Sequence, residues 1–210
     1  MTAPIRLRYA FTALLLAATA AGLARAEERK LNVLFIMTDQ HSARALGCYG
    51  NDEIQTPNLD RLAAQGTLFE RAFCQTGQCC PSRYSIWTGR YTRSHGLWGN
   101  GLVENPDEVT VGELFKAAGY STANIGKHHM HMTESNGRHG FNLVIDMPEY
   151  QQFVGARGAS RWSADGTWLD GPRPGRANVG ASNVDNEHHP TGFWTAQTIK
   201  FLRENRDRPF

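Results

Sequence analysis

The chain has 210 residues, with 22 Lys and Arg against 20 Asp and Glu, a formal charge of +2. Three of those arginines and none of the acids lie in residues 1–26, so the balance without that segment is −1. No basic patch remains that would argue for a nucleic-acid partner.

The N-terminus carries Arg6 and Arg8, then a largely apolar stretch from Tyr9 to Leu23, then Ala24-Arg25-Ala26 ahead of Glu27-Glu28. A basic region, a short hydrophobic region and a small-x-small site are the marks of a secretory signal peptide cut after Ala26. The apolar run is shorter than the roughly 20 residues of a spanning helix, so cleavage and export are expected rather than a membrane anchor. The exported part is 27–210, placed in the periplasm or outside the cell. Four cysteines follow, at positions 48, 74, 79 and 80. Cys48 and Cys74 are a candidate pair that spacing alone does not assign, and the neighbours Cys79 and Cys80 are poor partners for each other. Paired C-x-x-C knuckles, which a zinc cluster would need, are absent from the sequence.

Along the chain, Leu31–Met37 is a near-continuous apolar run that reads as a buried strand of a parallel sheet, with Asp39 and Gln40 at its carboxyl end. Thr56-Pro57 opens a short helix that Gly66 closes. Thr67–Phe73 is a candidate second strand. It leads into Cys79-Cys80-Pro81-Ser82-Arg83, where Pro81 reads as the first residue of a helix running to Thr88. Cys79 then lies just ahead of a helix N-terminus, where unpaired N–H groups favour an anion. Thr110-Val111-Gly112-Glu113 matches a capping box, and Gly119 ends the helix that follows. Ser121–Ile125 is a third strand, delivering Gly126-Lys127-His128-His129 to the same sheet edge as Asp39. Residues 133–190 lack periodicity and read as long irregular loops. A final helix is expected over 192–205, with Ala196, Ile199 and Leu202 on one face. Alternating strands and helices predict a three-layer α/β/α domain with a mostly parallel sheet.

Cys-x-Pro-Ser-Arg with the tail Thr88-Gly89-Arg90 resembles the signature of the type I sulfatases, which oxidise that cysteine to formylglycine. Asp39-Gln40 after an apolar strand and Gly126-Lys127-His128-His129 after another occur in the order and rough spacing of sulfatases of the alkaline-phosphatase-like superfamily. The resemblance implies sulfate-ester hydrolysis. It implies Asp39, Gln40 and the matured Cys79 as ligands of a divalent cation, calcium first, with magnesium or manganese as alternatives; hard oxygen donors suit such ions. Many members of the family have a second Asp where this chain has Gln40, and such a Gln also occurs in related phosphonate and phosphodiester hydrolases. The resemblance further implies that Arg83 holds the hydrated aldehyde, that Lys127 bridges it to the sulfate oxygens, and that His129 assists release of sulfate. Its partners would be a sulfate ester and a formylglycine-generating maturation enzyme.

His128 stands where the family commonly has Trp, and the four histidines between His128 and His139 are taken as local variation rather than a transition-metal site. His95 is not assigned to the site. The spacing of Gly119, Gly126 and Lys127 does not make a phosphate-binding P-loop, and no Gly-x-Ser-x-Gly elbow occurs. The family's site is completed by a further histidine, a metal-binding Asp pair and a second lysine, which would follow Phe210. The chain is therefore expected to be the N-terminal part of a sulfatase domain, with the sheet incomplete at its C-terminal side. The alternatives are a phosphonate or phosphodiester hydrolase of the same superfamily, or a non-catalytic exported remnant.

Overall fold

The computed structural model describes residues 30–102, 104–130, 137–156, 167–168, 180–181 and 185–210. The segment expected to be a signal peptide, His131 and most of the loop region 157–184 lie outside the described residues. Contacts divide the chain between Asn32 and Val33, and the following description concerns Val33–Phe210.

The first helix, α1, spans Pro57–Gln65, opened by proline in its first turn and followed by Gly66. The signature helix α2 spans Cys79–Thr88 and stops at Gly89, which is left-handed with φ 66°. It begins two residues earlier than the sequence suggests. Gln78 is the cap, its carbonyl accepting from Ser82 N–H, and Pro81 sits within the first turn, where a missing N–H still costs no helix bond. Cys79 is thus the first helical residue. A single turn, α3, covers Thr92–His95. Helix α4, Val111–Ala117, carries the expected capping box: Thr110 N–H donates to Glu113 Oε2 at 2.7 Å and Glu113 N–H to Thr110 Oγ1 at 3.4 Å.

Strand β1, Ala123–Ile125, pairs in parallel with β2, Leu143–Ile145, in the register Ala123↔Leu143 to Ile125↔Ile145. Helix α5, Met147–Gly155, leaves β2 directly, and α6, Pro190–Glu204, returns to pack on β1. Thr167–Trp168 (β3) and Gly180–Ala181 (β4) form a short antiparallel pair. The loop region expected over 133–190 therefore contains three strands and helix α5 among its described residues, and of these β2 and α5 left readable traces. Their signals were an apolar triplet, Leu143-Val144-Ile145, and Pro148 with Glu149 after Asp146, whose N–H donates to Glu149 Oε2 at 2.9 Å.

Two expected strands are not strands. Thr67–Phe73 is exposed and irregular. In the Leu31–Met37 run, the N–H of Val33 donates to Phe210 O at 2.9 Å, while Ser121 N–H donates to Pro209 O at 2.9 Å. Pro209 and Phe210 thus lie between the apolar run and the approach to β1, and these two bonds do not amount to a ladder. The run stays exposed, Phe35 at 61% and Ile36 at 73%. The candidate pair of Cys48 and Cys74 is also not formed, and both thiols are free; Cys48 sits in a tight turn whose N–H is taken by Asp60 Oδ1 at 2.8 Å.

Two apolar clusters carry the packing. Cys80, Tyr84, Leu97 and Met130, with Trp87 alongside, seat α2. Tyr150, Val154 and Phe193, with Ile145, Phe153 and Trp194, join α5, α6 and the end of β2. A third junction is a close backbone approach. At Gly140, φ is 81° and an added Cβ would stand 2.2 Å from Glu113 N, so only glycine lets the turn Gly137–Gly140 press on α4.

Candidate active site

The site lies at the carboxyl end of β1, where α2 and the segment ending in Asp39 converge. Arg83 is one helical turn after Cys79, so both project from one face of α2. The Arg83 guanidinium is 5% exposed and donates through Nη1 to the backbone carbonyl of Lys127. Its Nη2 stands 3.7 Å from Asp39 Oδ1, while Lys127 Nζ is 2.6 Å from Asp39 Oδ2. One carboxylate thus draws together two cations from two elements far apart in sequence. The hydrogen bond from Lys127, with the charges of Lys127 and Arg83, outweighs burial and holds Asp39 below the usual carboxylate range.

Cys79 is half-buried, and its Sγ lies 3.5 Å from Asn100 Oδ1, which also accepts the N–H of Cys80 at 3.0 Å. Asn100 closes the helix start beside Cys79. It carried no motif and was missed from the sequence; Gly99 and Gly101 around it were the available signal. Gln40 follows Asp39 with φ 32°, and His129 has φ 61°. Two of the three non-glycine residues with positive φ among the described residues are therefore site candidates. Backbone held in that sparsely populated region is over-determined by its surroundings and clusters at functional sites. Burial first, then the positive charges of Lys127 and Arg83, push the His129 ring below its ordinary value, so the neutral form is favoured.

The structure therefore brings Asp39, Arg83 and Lys127 into direct contact, with Cys79 one turn away on α2, Gln40 adjoining Asp39 and His129 within the field of both cations. A family model described as Sulfatase matches residues 31–210. The chain belongs to the sulfatase family. It is 32% identical over 191 residues to an N-acetylglucosamine-6-O-sulfatase of Bacteroides thetaiotaomicron, covering 91% of this chain and 30% of that protein. It is 41% identical over 144 residues to human arylsulfatase A, covering 64% and 28% respectively. Among solved structures it resembles the phosphonate monoester hydrolase of Agrobacterium radiobacter, with TM-score 0.68 and 26% identity, over 85% of this chain and 39% of that one. This sulfatase-family chain thus spans less than a third of the curated relatives' length, and its fold is an incomplete alkaline-phosphatase-like α/β fold.

Three other described histidines of this sulfatase-family chain have structural partners. His95 is buried, its Nε2 2.9 Å from Ser85 Oγ and its Nδ1 accepting from Leu97 N–H at 3.1 Å. His189 caps α6 and His188 lies 2.6 Å from Asp185. Among the described residues no group of three or more His, Cys, Asp or Glu forms a metal cluster. For a hard cation the donor chemistry fits in kind. Asp39 offers a carboxylate held in its charged form, and Gln40 beside it offers an amide oxygen. Calcium takes about 6–8 oxygens, so these two supply part of a shell.

Proposed function

We propose that the full-length protein is an exported sulfuric ester hydrolase whose nucleophile derives from Cys79. The observation that carries this reading is the bond from Arg83, on the helix that bears the cysteine signature, to the carbonyl of Lys127, with Asp39 joined to both cations. Converted to formylglycine, Cys79 would supply a hydrated aldehyde: attack of one hydroxyl on sulfur would displace the alcohol, and loss of the other hydroxyl's proton would expel sulfate and restore the aldehyde. Asp39 and Gln40 would hold the divalent cation, calcium first, which supplies positive charge beside the reacting oxygens.

The chain's own residues do the rest. The N-terminus of α2 and the Arg83 and Lys127 cations present positive charge where the transferring sulfuryl group gains negative charge. Asn100 fixes the start of α2 by accepting from Cys80, holding residue 79 at a constant angle. His129, kept neutral, accepts the proton given up as sulfate leaves. Residues 1–26 would direct export, and the maturation enzyme would act on the Cys79 segment.

A second reading, phosphonate monoester hydrolysis by the same residues, is favoured by one observation: the likeness to the Agrobacterium hydrolase at 26% identity. Gln40 in place of a second carboxylate is compatible with it. The test is turnover by the full-length protein, co-expressed with a maturation enzyme, of aryl sulfate beside aryl phosphonate monoester, with peptide mass spectrometry at position 79. Formylglycine at 79 and preferred aryl-sulfate turnover that Cys79→Ala abolishes are expected. Unmodified cysteine with undiminished turnover would overturn the reading, and a preference for the phosphonate would establish the second.

A further inference from the structure

Burial alternates residue by residue from Ala123 to Met130, well past the last paired residue of β1. Lys127 and His129 face the site, while His128 and Met130 point inward at 7% exposure each. Met130 joins Cys80, Tyr84 and Leu97 in the cluster that seats α2. His128 is the other inward peg, and its surroundings are polar: Nδ1 stands 3.0 Å from Asp146 Oδ2, with side-chain exposures of 9% and 19%.

Asp146 is well anchored. It follows β2 directly, and Gly126 N–H donates to the carbonyl of its neighbour Ile145 at 2.7 Å, so the β1–β2 ladder runs up to the pair. It also caps α5, its carbonyl accepting from Tyr150 N–H at 3.2 Å. The contact lies off the hydrogen-bond line, leaving His128 Nδ1 and Asp146 Oδ1 without hydrogen-bond partners. A buried imidazole and a half-buried carboxylate each cost free energy unless they serve one another. Nothing in the sulfatase signature explains a histidine at position 128, and Asp146 lies in a region whose sequence showed no periodicity.

We propose that His128 and Asp146 form a positioning pair that fixes the Lys127–His129 loop to the end of β2 and so sets the angle at which both residues address the Cys79-derived nucleophile. The inference rests on the catalytic reading of Lys127 and His129 given above. His128 itself touches no reacting atom. It acts through its neighbours, because the next residues on either side have no freedom once the peg between them is seated. Misplacement of reacting groups by about 1 Å can cost roughly 10²-fold in rate, so a loosened peg is read in kcat rather than KM.

The test compares His128→Phe, Asp146→Asn and the double variant in the full-length, matured protein. His128→Phe strips the Asp146 carboxylate of its mate, Asp146→Asn removes that charge while keeping an acceptor, and the double change leaves neither the imidazole nor the carboxylate. Each single variant is expected to lose about tenfold in kcat with KM little changed, while the double variant recovers most of the loss; non-additivity of this kind marks residues that act as a unit. Asp146→Asn keeps size and an acceptor oxygen at the start of α5. Should His128→Phe fail to fold, a kcat loss at constant KM in Asp146→Asn alone supports the pair. Unchanged kcat in that variant, or additive losses in the double, would overturn it. A parent protein without turnover on sulfate or phosphonate esters would instead sink the catalytic reading on which the pair depends.

Discussion

Replacing Arg83 by Lys tests the hinge of the site. The guanidinium is almost fully buried and uses two nitrogens, one to the Lys127 carbonyl and one toward Asp39. Lysine keeps the charge but presents a point donor on a flexible stem, which cannot serve both partners in the planar fork geometry. A hydrogen bond from a charged donor contributes about 1.5–3 kcal/mol. The ion pair adds no more than about 1 kcal/mol, because the Asp39 side chain is 53% exposed and screened by solvent. A loss near 2 kcal/mol follows, and with urea slopes of about 1–3 kcal/mol/M the unfolding midpoint should fall by roughly 1 M. Catalysis should suffer more than stability, since Lys127 loses its backbone anchor and one cation is displaced; roughly 10²-fold in kcat/KM is the scale for losing such a donor. Urea unfolding and aryl-ester turnover of Arg83→Lys beside the parent measure both. An unchanged midpoint together with unchanged kcat/KM would refute the assignment of Arg83 as the hinge.

The acidic limb of the kcat/KM–pH profile should fall below 6.5, the ordinary histidine value, because the His129 ring is depressed and must be neutral to accept a proton; His129→Gln should remove that limb. Chelation of divalent cations should abolish turnover and calcium should restore it, whereas Asp39→Asn should blunt the restoration; full activity in the chelator would exclude the metal. In the 210-residue chain taken alone, Phe35→Lys should slow aggregation, followed by light scattering, without moving the unfolding midpoint, because the ring is 61% exposed there and surface changes stay within about 0.5 kcal/mol.

Local chemistry was legible in the sequence where a residue type has one physical use. Pro57, Gly66, Gly89 and the Thr110–Glu113 box mark helix ends because they act through their own backbone neighbours. The three site segments were legible as motifs, and the structure brings Asp39, Arg83 and Lys127 together. What could not be read depended on distant partners. Leu31–Met37 is apolar enough for a central strand, yet a strand needs a paired neighbour from elsewhere in the chain, which the run itself does not reveal. Asn100 and Asp146 matter through what they touch across the fold, and neither stands in a pattern of its own. Helix α5 was overlooked because its aromatic contacts to α6 fall on residues with no helical repeat long enough to register.

The bonds from Val33 to Phe210 and from Ser121 to Pro209 also set the order in which the molecule can assemble. The turns that open α1 and α4 draw only on neighbouring residues, although helices this short are held by later packing. The seam that carries Asp39 toward Lys127 joins residues from opposite ends of the described chain, and closing so long a loop costs entropy before any contact repays it. The carboxylate that both cations await is made early and its segment is held only after Pro209 and Phe210 have emerged. A nascent chain stopped short of Pro209 would carry Asp39, Arg83 and Lys127 with that acidic corner still unanchored.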